Sequence, residues 1–401
     1  MQIGRPDEHE DDPRPSSSAP SIDWPAWLIG LFLLLGMLAR VALLPHLDGD
    51  AHTYLTPWFN YAAAHGWRAL GTAFTNYTPF YSYLLIASTP LRAVLPPMTI
   101  IKGISYVFEL ANAGLLFALV RTAGGRPWQA ALAFGLAWIA PMVIFNGAAW
   151  GQADSLWACF DLLAVLMCVR GRDGAIPFSV SFAVKAQGVF LGPFMLAMAL
   201  RRRRVIWLIV AVPAVYLLLA APVLMFGRRL GEVLLVYVEQ GQTFHRLSKN
   251  AGSFWAFFDS RTDYGTGVIV GMALAALMGV VITGLVWRSR RSDPLFLMAA
   301  AAASLMLMPY LLPKMHDRYF YGFEILSIAL ACLRWRYVAP AIAAQISGVL
   351  AYLAYESGYR GGIVPAAGLN GVIGIFLLAD LVRMSGLTVL RPYAEPEAET
   401  R

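Results

Sequence analysis

The stretch PAWLIGLFLLLGMLARVALLP, residues 25–45, decides the fold, because its only charged side chain is Arg40. About 20 apolar residues in an α-helix cross a hydrocarbon core roughly 30 Å thick. Similar stretches recur along the chain, and reading them against charged and proline-rich breaks predicts about ten full spans. These predicted spans lie near 25–45, 99–120, 128–146, 152–169, 204–226, 266–288, 295–312, 319–334, 337–355 and 365–385.

Composition agrees with a polytopic membrane protein. Of the 401 residues, 58% are hydrophobic and 14% are charged, whereas soluble domains carry roughly a quarter charged residues. We therefore predict one transmembrane domain, 24–388, with polar tails at 1–23 and 389–401. The net charge of +7 comes from short basic clusters between apolar segments. That pattern indicates membrane topology, and it argues against a nucleic-acid partner.

One apolar segment, 175–200, is interrupted by Lys185, Gln187 and Pro193. We interpret it as a broken pair of half-length helices that enters the membrane and returns to the same side. The arginine clusters then all lie on the cytoplasmic side with both termini, as the excess of basic residues in cytoplasmic loops requires. The outer face receives a long first loop with interfacial helices and three further segments. These outer segments are 46–98, 150–155, 227–265 and 314–320.

The first outer loop begins with HLDGDAHTYLTPWF, residues 46–59, which contains Asp48, Asp50 and His52. A carboxylate at the membrane surface can accept a proton from a hydroxyl group, as a glycosyl transfer needs. The alternative is a solvated loop with ordinary surface acids.

A second polar cluster, AWGQADS, occupies residues 149–155 and places Gln152 and Asp154 at the start of a predicted span. Asp154 could line a pocket or could cap the helix, where the dipole favours an acid. We interpret Trp150 as an anchor at the membrane interface.

A third cluster, PKMHDRYF at 313–320, carries Lys314, His316 and Arg318 on the outer face. Positive charge outside runs against the usual bias, so a lipid phosphate is a candidate partner. The alternative is a turn whose long side chains reach the interface.

Ionisable residues within the apolar spans are costly and usually face a cavity or a partner. Arg40 and Lys185 could reach the same phosphate. Glu109 and Asp380 are predicted to form internal ion pairs. His245, in the second long outer loop, could contact a sugar or could simply be solvated.

Four strings in this order resemble the GT-C superfamily of membrane glycosyltransferases, particularly its bacterial mannosyltransferase-like members: DGDAHTYLTPWF with NYTPFYSYLL, AWGQADS, FAVKAQGVFLGPF and KMHDRYFYGFEILSIA. The likeness covers roughly residues 30–335. It implies a GT-C-like helical bundle in the plasma membrane, a polyprenyl-phosphate-sugar donor and an inverting transfer of a mannose-like hexose. The acceptor, whether lipid, glycan or protein, stays open.

The resemblance also implies roles for particular residues. Asp50 matches the catalytic acid best, and Asp48 is the second candidate because this chain has DGD where many relatives have one acid. The implied donor-phosphate residues are Arg318, His316, Lys314, Lys185 and Arg40. The implied sugar- or acceptor-binding residues are His52, Tyr77, Gln152, Asp154 and His245. No obligatory metal is expected, although two carboxylates in DGD could bind a divalent cation.

A transporter or flippase of lipid-linked sugars is the alternative from a different class, because broken helices and buried charges also suit transport. The depth of the charged residues in the membrane distinguishes the two functions, since transport predicts charged residues along a path that crosses the membrane. A polymer-joining ligase would share the lipid donor and differ in its acceptor.

Overall fold

A computed structural model describes residues 24–242, 244–258 and 262–387; the predicted tails, 1–23 and 389–401, lie outside these ranges. The described chain is almost entirely helical. Its α-helices of ten or more residues are Trp24–Ala42, Thr56–His65, Pro79–Ser88, Pro97–Thr122, Pro127–Ile139, Asp154–Val169, Ala175–Val184, Gly192–Arg201, Val205–Met225, Leu230–Gln242, Tyr264–Arg288, Pro294–Leu311, Tyr321–Leu333, Val338–Glu356 and Ile363–Ser385. Two two-residue strands, Ser248–Lys249 and Met315–His316, pair in parallel.

Eight helical segments are long and apolar enough to cross a membrane, so the protein is an all-α polytopic membrane protein. They match eight of the spans predicted from sequence. The predicted spans near 152–169 and 319–334 form shorter helices, Asp154–Val169 with 16 residues and Tyr321–Leu333 with 13. At 1.5 Å per residue the second is only about 20 Å long. Both are largely enclosed by other helices, so neither has to match the bilayer thickness with its own length.

The middle of the bundle is built around Pro294–Leu311, whose residues are mostly buried. Its run of five alanines, 299–303, lets neighbouring helices approach closely, as small residues do in membrane bundles. Tyr321–Leu333 packs beside it and is also buried along nearly its whole length. The long outer helices, such as Tyr264–Arg288, expose apolar side chains instead, as expected of a surface against lipid.

The segment 175–200 forms the predicted broken hairpin. Ala175–Val184 ends at Lys185, a short 3-10 stretch follows, and Gly192–Arg201 returns. The two ends of the hairpin meet, because Arg204 pairs with Asp173 at 3.0 Å and Arg202 donates a hydrogen bond to the carbonyl of Arg172. Lys185 therefore lies at the tip, and the basic residues lie at the base.

Arginine clusters distant in sequence gather at the hairpin's base. Arg201 donates to the carbonyl of Arg291 at 2.7 Å, and Arg170 donates to Thr122. These contacts place several of the predicted basic turns at one end of the bundle. The hairpin tip and the loops bearing Asp50 and Arg318 lie at the other end.

The two long loops carry their own helices. Pro79–Ser88 lies in the first loop and packs on the bundle, because Thr78 donates to the carbonyl of Val184 at 2.6 Å and Tyr83 to that of Leu219 at 2.6 Å. In the second loop, Leu230–Gln242 is held by Tyr216, which donates to the carbonyl of Val233. The second helix contributes Gln240 to the site described below, and the first follows closely on Asn76 and Tyr77, which line it.

The predicted internal ion pairs are present. Glu109 accepts from Arg40 at 2.6 Å, with both side chains fully buried. Asp380 is paired with Arg336 at 3.0 Å and Arg383 at 2.8 Å. A buried charge is tolerated when a partner and hydrogen bonds compensate it.

We expect Glu109→Leu to destabilise the protein by about 3 to 5 kcal/mol, because it leaves the buried Arg40 guanidinium without its counter-charge. The double variant Arg40→Leu/Glu109→Leu should recover much of that loss. Thermal unfolding of the purified protein in detergent measures both. Equal stability of the single variant and the wild type would contradict the assignment.

Candidate functional site

A cavity of about 280 Å³ opens at the end of the bundle that holds the hairpin tip. Its residues come from every outer segment predicted from sequence and from the hairpin. Its lining comprises Asp50, Tyr54, Leu55, Trp58, Asn76, Tyr77, Gln152, Lys185, Gln187, Gln240, Phe244, Lys249, His316, Asp317, Arg318, Tyr319 and Tyr355. Six of these, Asp50, Tyr77, Gln152, Lys185, His316 and Arg318, are among the candidate residues chosen from sequence.

Asp50 is held at the cavity wall by two donors. Trp150 Nε1 and Gln152 Nε2 each donate to Asp50 Oδ2 at 3.0 Å. Gln152 in turn accepts from the hydroxyl of Tyr77 at 3.0 Å, which fixes the direction of its amide. The carboxylate therefore has a defined orientation, which a base must have to meet a substrate hydroxyl.

The interpretation of Trp150 as an interface anchor is wrong. Its side chain is 1% exposed, and its ring stacks on Tyr355 with centroids 3.9 Å apart. Arg318 lies over the same ring at 4.9 Å. Trp150 thus links the acid on one side of the cavity to the cation on the other, a role that the sequence does not distinguish from that of a lipid-facing tryptophan.

Asp154 does not line the cavity as expected. It is fully buried behind it, and its carboxylate accepts from Lys185 at 2.6 Å and lies 3.4 Å from Arg318. Asn146 and Trp157 donate to it as well, at 3.0 and 2.9 Å. Because a buried carboxylate must be compensated by cations and donors, Asp154 serves as the anchor that holds both cations in place.

Cations exceed anions on this side of the cavity. Lys185 and Arg318 share one buried acid, and Lys249 adds a third positive group. Asp317 is the second acid, and burial raises its pKa to about 7 despite the nearby Arg318. Such a wall suits a phosphate, since guanidinium and ammonium groups bind its oxygens strongly.

His316 belongs to the same wall. Burial, with Arg318, Lys249 and Lys185 nearby, holds its pKa well below the usual range, so the imidazole is neutral near pH 7. The strand pairing of Ser248–Lys249 with Met315–His316 places it next to Lys249. This pairing joins the loop 227–265 to the turn at 314–320, two segments that are far apart in sequence.

Aromatic side chains line the remaining wall. Trp58 has its ring centroid 5.7 Å from that of Tyr54 and 5.4 Å from that of Tyr77. Burial raises the pKa of Tyr77 to about 12, so its hydroxyl stays a neutral donor. Rings with nearby polar groups suit the apolar face and hydroxyls of a sugar. Trp58 and Tyr54 were missed because aromatic residues in this loop equally indicate an interfacial helix.

Besides Asp154, five predicted site residues lie outside the central cavity. Arg40 is fully buried in the bundle, with its guanidinium bound to Glu109 and to the carbonyls of Gly36 and Trp138. His52 is exposed and does not line the cavity, and exposed His245 lies against Tyr264. The other two are Lys314, which lines an adjacent groove, and Asp48, which lies behind Asp50.

Asp48 is 7% exposed, and its carboxylate accepts from the backbone N–H of Ala51 at 2.8 Å and from Tyr355 at 3.3 Å. Burial raises its pKa to about 6, and the neighbouring Asp50 adds to the effect. The two acids of the DGD string thus have different surroundings. Asp50 faces the cavity, whereas Asp48 supports the loop.

The raised pKa of Asp48 predicts a pH dependence of stability. The folded protein holds this proton up to a pH of about 6 and the unfolded chain only up to about 3.8, so the wild type loses stability as the pH rises between them. Asp48→Asn should therefore gain stability relative to the wild type across that interval. Thermal unfolding at several pH values checks this, and a constant difference from pH 4 to 7 would contradict it.

No protein-family model matches the chain, and a search of curated proteins finds no match. Within the described ranges, no group of three or more His, Cys, Asp or Glu side chains is placed to hold a metal ion.

Proposed function

We propose that the protein is an inverting GT-C-type glycosyltransferase that moves a hexose from a polyprenyl-phosphate donor to an acceptor hydroxyl. One observation carries the proposal: a single cavity at one end of a membrane bundle sets an oriented carboxylate, Asp50, against an excess of cations. A hydroxyl acceptor needs a base, and a phosphate leaving group needs positive charge. The cavity contains both.

In the proposed reaction, Asp50 takes the proton of the acceptor hydroxyl while its oxygen forms a bond to the anomeric carbon. The bond between that carbon and the phosphate oxygen breaks, and polyprenyl phosphate leaves with the electron pair. Arg318 and Lys185 stabilise the negative charge that develops on the leaving phosphate. Asp154 fixes the positions of both cations. Attack opposite the leaving group inverts the anomeric configuration.

The location of the cavity supports a lipid-linked donor. The hairpin tip that carries Lys185 brings its charge to the edge of the apolar region. A phosphate bound there can keep its prenyl chain in lipid while its sugar stays in the hydrated cavity. By the resemblance, we propose that the sugar is mannose-like, that the membrane is the plasma membrane with both termini cytoplasmic, and that the cavity faces outward.

The test is transfer of radiolabelled sugar from a panel of polyprenyl-phosphate sugars to a membrane extract by the purified protein. We expect transfer from at least one lipid donor and none from nucleotide sugars. If no lipid donor is used while the protein moves such lipids across a bilayer, the transporter alternative replaces this proposal.

A further inference from the structure

Two further grooves follow one another along the seam between the returning half of the hairpin and the helix Tyr264–Arg288. The first, about 250 Å³, borders the central cavity and shares Lys249 and His316 with it. The second, about 750 Å³, runs on toward the basic end of the bundle and ends at Arg288. We define the seam by the residues of these two grooves.

The seam is lined mostly by apolar residues, and its charged residues lie at its two ends. On the long helix seven of the lining residues share one face, because they follow the helical repeat. They are Met272, Ala276, Gly279, Val280, Thr283, Gly284 and Trp287, and Val281, Leu285 and Arg288 extend the lining to one side. On the hairpin they are Val189, Pro193, Leu196 and Leu200. The small residues of the helix make the surface hollow, because an alanine or glycine leaves space where a larger side chain would fill it.

The length of the seam and its charge distribution restrict the occupant. From Met272 to Arg288 the helix rises about 24 Å, which exceeds one leaflet, about half of a hydrocarbon core of roughly 30 Å. The groove nearest the cavity has a basic rim formed by Arg246, Lys249 and Lys314. A phosphate at the rim with a long hydrocarbon chain below it fits this arrangement, whereas a phospholipid acyl chain reaches only part of the way.

We propose that the seam binds the isoprenoid chain of a polyprenyl phosphate, whose phosphate passes the basic rim into the central cavity. The inference rests on the proposed function and adds the path by which the donor enters, between the hairpin and the helix Tyr264–Arg288. Lys314, which lies outside the central cavity, takes a place at the rim in this arrangement.

The test compares two donors that carry the same sugar, one on a long polyprenyl chain and one on a farnesyl chain. Ala276→Trp places a large side chain in the seam, and Ala273→Trp is the matched control on an exposed position that lines neither groove. We expect Ala276→Trp to lower kcat/KM for the long-chain donor about tenfold, the equivalent of about 1.4 kcal/mol of lost apolar contact. The farnesyl donor and the control should change less than about twofold.

Gly284→Leu is a second variant that fills the seam, so the test does not depend on the folding of Ala276→Trp alone. A Cβ added at Gly284 meets no other heavy atom within 4 Å, so the larger side chain can enter the groove without a clash at its first atom. If both filling variants fold and keep the wild-type preference for the long chain, the seam is not the chain's binding site. The proposed function would survive that result, because transfer itself continues.

A second readout does not depend on transfer. A polyprenyl phosphate carrying a diazirine on its chain is photolysed with the wild-type protein in detergent, and the labelled peptides are identified by mass spectrometry. Labelling of Tyr264–Arg288 and of the returning half of the hairpin supports the inference even if no donor is turned over. Labelling confined to other helices, or a phospholipid that excludes the probe from the seam, overturns it.

Discussion

Asp50→Asn is expected to lower sugar transfer by about 10² to 10⁴-fold, the contribution typical of a positioned general base. The substitution removes the proton acceptor but keeps an oxygen that Trp150 and Gln152 can still donate to. The effect should therefore appear in kcat with little change in stability. Initial rates with the wild type and the variant, at saturating donor, measure it.

Asp48→Asn is the comparison for that experiment, because it changes the other acid of the DGD string. Asp48 accepts from Ala51 and Tyr355 and does not line the cavity, so we expect this variant to keep most of its activity. If Asp48→Asn loses transfer and Asp50→Asn retains it, the base is Asp48 and the orientation argument is wrong.

The second large effect is expected from Arg318→Met, which should lower transfer by about 10² to 10³-fold, as removal of one stabilising donor typically does. Asp154 keeps Lys185 as a partner at 2.6 Å, so the variant retains one of its two compensating cations. Inhibition by free polyprenyl phosphate should weaken in parallel, since the leaving group and the inhibitor share the same contact.

Arg229→Met provides the matched control. Arg229 is an exposed cation in the loop 227–265 and lines none of the cavities described above. Its loss should leave both transfer and inhibition unchanged. Equal losses in the two variants would mean that general surface charge, rather than a specific phosphate contact, explains the effect of Arg318.

Much of the fold could be predicted from the sequence, because apolar length is a property of the chain alone. The hairpin at 175–200 is predicted from Lys185 and from the requirement that the arginine clusters lie on one side of the membrane. The structure confirms that its ends meet. The ion pairs of Glu109 and Asp380 are likewise confirmed. Full span length is wrongly predicted for Tyr321–Leu333, since the length of an apolar run does not show which helices are enclosed by others.

The candidate site was harder to predict, because sequence gives the depth of a residue more reliably than the direction of its side chain. The sequence predicts the approximate depth of Asp154 and Arg40 in the bundle, but both side chains are buried inside the protein. Trp150 has the same sequence context as an interface anchor, yet it donates to Asp50. Only the fold shows that Lys249, from a loop with few distinctive residues, lies beside His316.

The most direct test of the central claim uses a donor labelled on both its sugar and its lipid phosphate, with purified protein in liposomes that contain the acceptor extract. If the protein is a glycosyltransferase, sugar bound to acceptor and free polyprenyl phosphate should appear in equal amounts, and Asp50→Asn should reduce both together. Intact donor that reaches the opposite leaflet with both labels still joined, and no free polyprenyl phosphate, would contradict the account.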